Sequence, residues 1–193
     1  MSSDDIQTVC PIGKDGNCKV PSYVTKIANN TFEHNAELKR IDLPKNLQEI
    51  GYAAFANTGL ENITIPNGII AIQASTFNDC RYLKTITLPD SLQEIGRYAF
   101  SKCCTLKTIV IPKNVTTIEH KAFYFCIALK NITIEADLNQ FQDLLFLENL
   151  QKYENITFKG NYSDYDKEQI KQKFPEGLWD KIKFQNQSQE YDS

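Results

Sequence analysis

Residues Leu83–Thr105 read LKTITLPDSLQEIGRYAFSKCCT, and residues 106–128 begin the same text again as LKTIVIPKNVTTIEHKAFYFCIA. Nearly every apolar residue of the first stretch has an apolar counterpart in the second, while the polar residues drift. Aligning outward on Leu38, Leu60, Leu83, Leu106 and Leu129 gives steps of 22, 23, 23 and 23 residues. With each leucine as position 0, apolar residues recur at +3 and +5, from Ile41/Leu43 to Ile132/Ile134. Proline stands at +6 (Pro44, Pro66, Pro89, Pro112), isoleucine at +12 (Ile50, Ile72, Ile95, Ile118) and phenylalanine at +17 (Phe55, Phe77, Phe100, Phe123). The frame extends back to Asp15, through Cys18, Val20, Pro21, Ile27 and Phe32. It extends forward in looser form, where ENITF follows Tyr153 and DKIKF follows Trp179.

Each position has a physical reading. Alternation at 0, +3 and +5 predicts a short strand with its isoleucines inward and the +2 and +4 residues outward. Proline then ends the strand, because it has no N–H to give a ladder. The stretch from +9 to +17 predicts a return along the opposite side as a turn or short helical piece, its phenylalanine filling the space between. No unit can bury its apolar face alone, so the units must stack.

These residues resemble a leucine-rich repeat of the BspA-like type: proline after the strand, an apolar residue at +9, isoleucine at +12, an Ala-Phe pair, and cysteine three residues later. The more familiar leucine-rich pattern places its next apolar residue at +10, and here it falls at +9. The expected fold is therefore an α/β repeat solenoid with a short-stranded parallel sheet on its concave face and a helical C-terminal cap. The expected organisation is a cap segment at 1–14, the solenoid at 15–134, and irregular repeats with the cap of the same domain at 135–193. In ADLNQFQDLLFLENLQKY, Leu138, Phe141, Leu144, Leu145 and Leu150 fall at helical spacing. In SDYDKEQIKQKF, Ser163 or Asp164 would cap a second helix that stops before Pro175.

The chain has 193 residues, 41% of them hydrophobic, and a net charge of −3. That balance suits a folded domain and argues against a nucleic-acid partner, which calls for a basic excess. No run approaches the length needed to cross a bilayer. The N-terminus MSSDDIQTVC lacks the charged and apolar regions of a secretion signal, which favours the cytoplasm, with the cell surface or secretion as the alternative. The seven Asn-x-Ser/Thr triplets read as by-products of strand composition.

No nucleophile–base pattern, phosphate loop, or paired-cysteine metal knuckle occurs, so neither catalysis nor a metal or other cofactor is expected. Cys80, Cys103 and Cys126 share position +20 and read as a column of small buried hydrophobes. Cys10 and Cys18 flank PIGKDGN, where a disulfide would close an N-terminal turn in an oxidising compartment and stay open in a reducing one. His34 and His120 read as turn or surface residues. The candidate ligand-binding residues are those facing outward from the strands: Asn62, Thr64, Lys84, Thr85, Thr87, Lys107, Thr108, Lys130, Asn131 and Thr133. They form a small, neutral, hydrogen-bonding surface with one basic row, suited to a protein or peptide partner and equally to cross-strand stabilisation. The resemblance implies adhesion to host or matrix protein as the alternative function. The oligomeric state is left open.

Overall fold

The computed structural model describes residues 10–137 and 152–186. The first turn carries β1 (Asn17–Lys19) and β2 (Lys26–Ile27), and the second β3 (Arg40–Asp42) and β4 (Glu49–Ile50). The same pair recurs as β5 (Asn62–Thr64) with β6 (Ala71–Ile72), β7 (Thr85–Thr87) with β8 (Glu94–Ile95), and β9 (Thr108–Ile111) with β10 (Thr117–Ile118). Then follow β11 (Asn131–Ile134), β12 (Asn155–Lys159) and β13 (Ile182–Gln185). All pairings are parallel, and the register matches equivalent positions, with Ile63 opposite Ile86 and Ile132 opposite Ile156. The molecule is a parallel β-solenoid. The expected alternation holds along its first side: Cys18, Ile41, Ile63, Ile109 and Ile132 are buried, and the residues flanking them lie nearer the surface. Each proline carbonyl after the strand accepts the N–H three residues on, as from Leu92 to Pro89 at 3.0 Å, and this turn starts the second side.

The return path carries no helix, contrary to the helical option in the sequence reading. It consists of the two-residue strands β2 to β10, followed by a turn in which positions +15 and +19 are left-handed. Asn30, Ala53, Ser75, Tyr98 and Lys121 at +15 have φ between 50° and 63°, and His34, Asn57, Asp79, Lys102 and Phe125 at +19 have φ between 57° and 64°. Flipping two residues per turn points the N–H groups of +15, +17 and +19 at the next turn. Phe32 N donates to Ala54 O at 2.8 Å, Phe55 to Thr76 at 2.9 Å, and Phe77 to Ala99 at 2.8 Å. A helix would have directed those N–H groups back along its own axis. Among the described residues the single α-helix is α1 (Asp164–Gln172).

The core is a file of stacked side chains. The rings of Phe32, Phe55, Phe77, Phe100 and Phe123 lie parallel, with centroids 5.4–5.5 Å apart. Beside them, each +20 thiol reaches back one turn to a phenylalanine carbonyl: Cys80 to Phe55 at 3.0 Å, Cys103 to Phe77 at 3.3 Å and Cys126 to Phe100 at 2.9 Å. In the short unit Thr58 takes the same place and donates to Phe55 O at 2.9 Å. That unit has one residue fewer because Gly59 lets the turns touch: a Cβ there would lie 2.1 Å from Ala36 O.

The first side divides into two sheets, β1-β3-β5-β7 and β9-β11-β12-β13. At the seam the Thr105 hydroxyl lies within donating distance of the carbonyl oxygens of Arg81 at 3.0 Å and Leu83 at 2.9 Å, and Ile86 is half-buried where its counterparts are buried. At the C-terminal end, Ser163 caps α1 in a reciprocal capping box with Asp166. Ile170, Phe174 and Leu178 bury their side chains, and Trp179 Nε1 donates to Lys171 O at 3.0 Å at the end of the helix. The earlier helical spacing at Leu138–Leu150 lies outside the described residues.

Candidate functional site: the outer strand face

The outward residues of the first side form three columns, and the structure shows which of them are engaged with one another. In the +1 column Lys84 pairs with Glu61 at 2.7 Å and Lys130 with Glu154 at 2.5 Å. The Lys84 hydrogen bond holds the Glu61 carboxyl below its ordinary range. The row of Lys84, Lys107 and Lys130 is therefore neutralised at both ends by glutamates of the same column. Lys107 carries no ion pair among the described residues. In the +2 column Thr85 Oγ1 donates to Asn62 Oδ1 at 2.6 Å, and Asn155 Nδ2 to Asn131 Oδ1 at 2.6 Å. Lys183 Nζ also donates to Asn155 Oδ1.

Thr64, Thr87, Thr108 and Thr133 make no side-chain hydrogen bond among the described residues. They lie toward the middle of the face, with Val110 45% exposed between them. A shallow depression of about 620 Å³ opens at the N-terminal end of this run, over β3, β5 and β7, lined by Arg40, Asp42, Asn62, Thr64, Thr85 and Thr87 among others. Its walls offer hydroxyls, an amide and three charges, Arg40 and Lys45 with Asp42. That set can hold a polar chain in register, and it has no nucleophile beside a base. Among the described residues no group of three or more His, Cys, Asp or Glu stands where a metal could bind.

Away from this face, Cys10 and Cys18 are joined by a disulfide, their Cα atoms 5.8 Å apart. Cys80, Cys103 and Cys126 are free and buried, and Cys104 is free and half-exposed. His34 sits on the turn side, its Nδ1 2.8 Å from Asn57 Nδ2, and His120 is exposed. A second cavity of about 700 Å³, which the sequence reading missed, lies against α1 and is lined by Glu135, Asp137, Lys159, Tyr162 and Asp166 among others. Lys159 pairs with Glu135 at 3.1 Å at its wall. Glu135 and Lys159 stand at position +6, where the earlier units carry proline, and the rest of the wall includes residues of the cap, which lies outside the repeat.

Six copies of the BspA type leucine rich repeat region match the sequence, over residues 16–116 and 48–173. The chain belongs to the BspA-type leucine-rich repeat family. Its fold is shared by a leucine-rich repeat protein of T. pallidum, with 23% identity, a TM-score of 0.65, and coverage of 85% of this chain and 86% of that one. A leucine-rich repeat protein from Bacteroides ovatus has 23% identity and a TM-score of 0.55, covering 88% of this chain and 51% of its own. The pneumococcal vaccine antigen PcpA has 23% identity and a TM-score of 0.63, covering 90% and 42%. This BspA-type chain thus spans about half or less of the length of the latter two. No curated protein matches it. Among the described residues no helix is long and apolar enough to cross a membrane.

Proposed function

We propose that this protein is a non-catalytic binding module that receives an extended segment of a partner protein across its strand face, the concave side of the solenoid. The observation that carries this reading is the depression over β3, β5 and β7, whose outward hydroxyls and amides lie one turn apart in line. A stack of short parallel strands repeats the same donor and acceptor set at each turn, which suits a ligand that is itself extended. The engaged pairs, Thr85 with Asn62 and Lys84 with Glu61, stiffen the face. Thr64, Thr87, Lys107 and Thr108 remain for a ligand. On this reading residues 15–134 supply the surface, and 135–193 close the same domain.

A second reading, adhesion at the cell surface, is favoured by one observation. The Cys10–Cys18 disulfide closes the N-terminal turn, and such bonds persist in oxidising compartments. It supports a place outside the cytosol over the cytoplasmic one that the polar N-terminus suggested. Likeness to PcpA at 23% identity extends to fold, and what that antigen does is not carried over.

The test changes Thr64, Thr87 and Thr108 together to Glu, positions whose exposed side chains make no hydrogen bond among the described residues, so that the fold is kept. The variant keeps its melting temperature and loses the bound partner. Retention of every partner by the folded variant contradicts the proposal.

A further inference from the structure

The turn side of the units beginning at Leu83 and Leu106 departs from the repeat in a way that packing does not require. At +14 and +15 the earlier units carry Asn29/Asn30, Tyr52/Ala53 and Ala74/Ser75, and here Arg97/Tyr98 and His120/Lys121 stand instead. At +19 the series His34, Asn57, Asp79 gives way to Lys102 and Phe125. Both Tyr98 and Phe125 have φ of 57°. Left-handed backbone is natural for Asn, Asp or Gly and costly for a large aromatic residue, so local preference does not select them. Phe125 is 58% exposed, so the core does not select it either.

These residues form one connected surface. The Arg97 guanidinium lies 5.1 Å from the Tyr98 ring, and Lys121 Nζ lies 5.9 Å from Tyr98 and 5.5 Å from Tyr124. Tyr124 meets Phe125 edge to face at 5.1 Å, and Lys102 N donates to Tyr124 O at 2.7 Å. Arg97, Lys102 and Lys121 thus stand on this side with one carboxylate bonded to it, Glu119, whose Oε2 accepts from the Arg97 backbone N–H at 2.6 Å. Asp79 is held by Arg81 at 2.8 Å. In a chain of net charge −3 this is a local positive patch built around aromatic rings.

We propose that this surface binds an anionic polysaccharide, a sugar chain bearing carboxylates or sulfates. The anionic groups pair with Arg97, Lys102 and Lys121, and a sugar ring lies on the exposed face of Phe125. A sugar chain is favoured over an acidic peptide because the cations stand around aromatic rings and Phe125 is 58% exposed, which gives a pyranose ring a surface to stack on, whereas an acidic peptide would need the cations alone. The site is separate from the strand face.

Isothermal titration with a heparin oligosaccharide, poly-L-glutamate and uncharged dextran tests the proposal. Heparin is expected to bind, more weakly as salt rises, and dextran not to bind. Phe125→Asn should weaken heparin binding about three- to tenfold while the melting temperature stays or rises, since Asn accepts the left-handed backbone. Replacing Arg97, Lys102 and Lys121 together with Ser should abolish it, and Thr87→Glu with Thr108→Glu should leave it unchanged. Absence of heparin binding overturns the proposal. So do equal binding of poly-L-glutamate with no effect of Phe125→Asn, and a loss caused by the strand-face substitutions.

Discussion

The Cys126 thiol donates to the carbonyl oxygen of Phe100, one turn earlier, at 2.9 Å. Cys103 and Cys80 repeat the contact with Phe77 and Phe55. The cysteine column is therefore a polar strut between turns as well as apolar filling, and burial pushes the Cys80 thiol up to about 11 and the Cys103 thiol well above its ordinary value. Thiol labelling of the native protein should modify Cys104 quickly and the three buried thiols only on unfolding. Rapid labelling of all four would mean the column is open to solvent.

The phenylalanine file makes a second prediction. Phe77 and Phe100 stack at 5.5 Å, and both are fully buried. Phe77→Ala or Phe100→Ala should cost about 3–5 kcal/mol in denaturant unfolding, and Phe125→Ala, at the exposed turn, much less. Similar small effects at all three sites would remove the file from the account of stability.

Reduction of the Cys10–Cys18 bond frees a short loop at the open N-terminal end of the stack. On the chain-entropy view its loss costs about 2–3 kcal/mol. A Cys10→Ser, Cys18→Ser variant should melt below the wild type, and added reductant should lower the wild type to the same point. Coincident melting of all three samples would show that the turn holds without the bond.

Acid should loosen both the strand face and the cap at the start of α1. Lys84 lowers the carboxyl of Glu61 from its ordinary 4.5, and Ser163 lowers that of Asp166 from 3.8. A carboxyl depressed in the folded state contributes stability that is present above its ordinary value and lost as pH falls through the depressed one. Unfolding free energy should therefore be level near neutrality and decline below about pH 4.5. Glu61→Gln should shallow that decline without changing the plateau by much, because the pair is exposed. An unchanged acid slope in Glu61→Gln would show that the ion pair is not formed in solution.

The repeat made much of this fold legible. Leu, Ile, Pro and Phe recur because each fills one place in every turn, so spacing alone placed the strands at Ile63 and Ile86 and the ring file at Phe77 and Phe100. The return path stood open between a turn and a short helix, because LQEIGRYAF admits a helix by composition, and the turn is what forms. What decides against the helix is the left-handed backbone at Tyr98 and Lys102, and neither residue type announces that conformation. The basic row at Lys84, Lys107 and Lys130 was visible as charge. Its neutralisation was not drawn, although Glu61 and Glu154 stand at the same +1 position of neighbouring units, because a shared position does not say which side chains meet. The thiol contacts to Phe carbonyls were hidden because a buried cysteine looks the same whether or not it donates.

If a partner chain lies along the strand face, site-specific photo-crosslinking will find it there. A crosslinking side chain placed in turn at Thr87, at Thr108 and at Gln93, an exposed position near the second-side strand β8, would report which face is covered. Thr87 and Thr108 should capture the same segment of one partner, and Gln93 should not. Equal capture from Gln93, or none from either threonine while the partner stays bound, would contradict that placement.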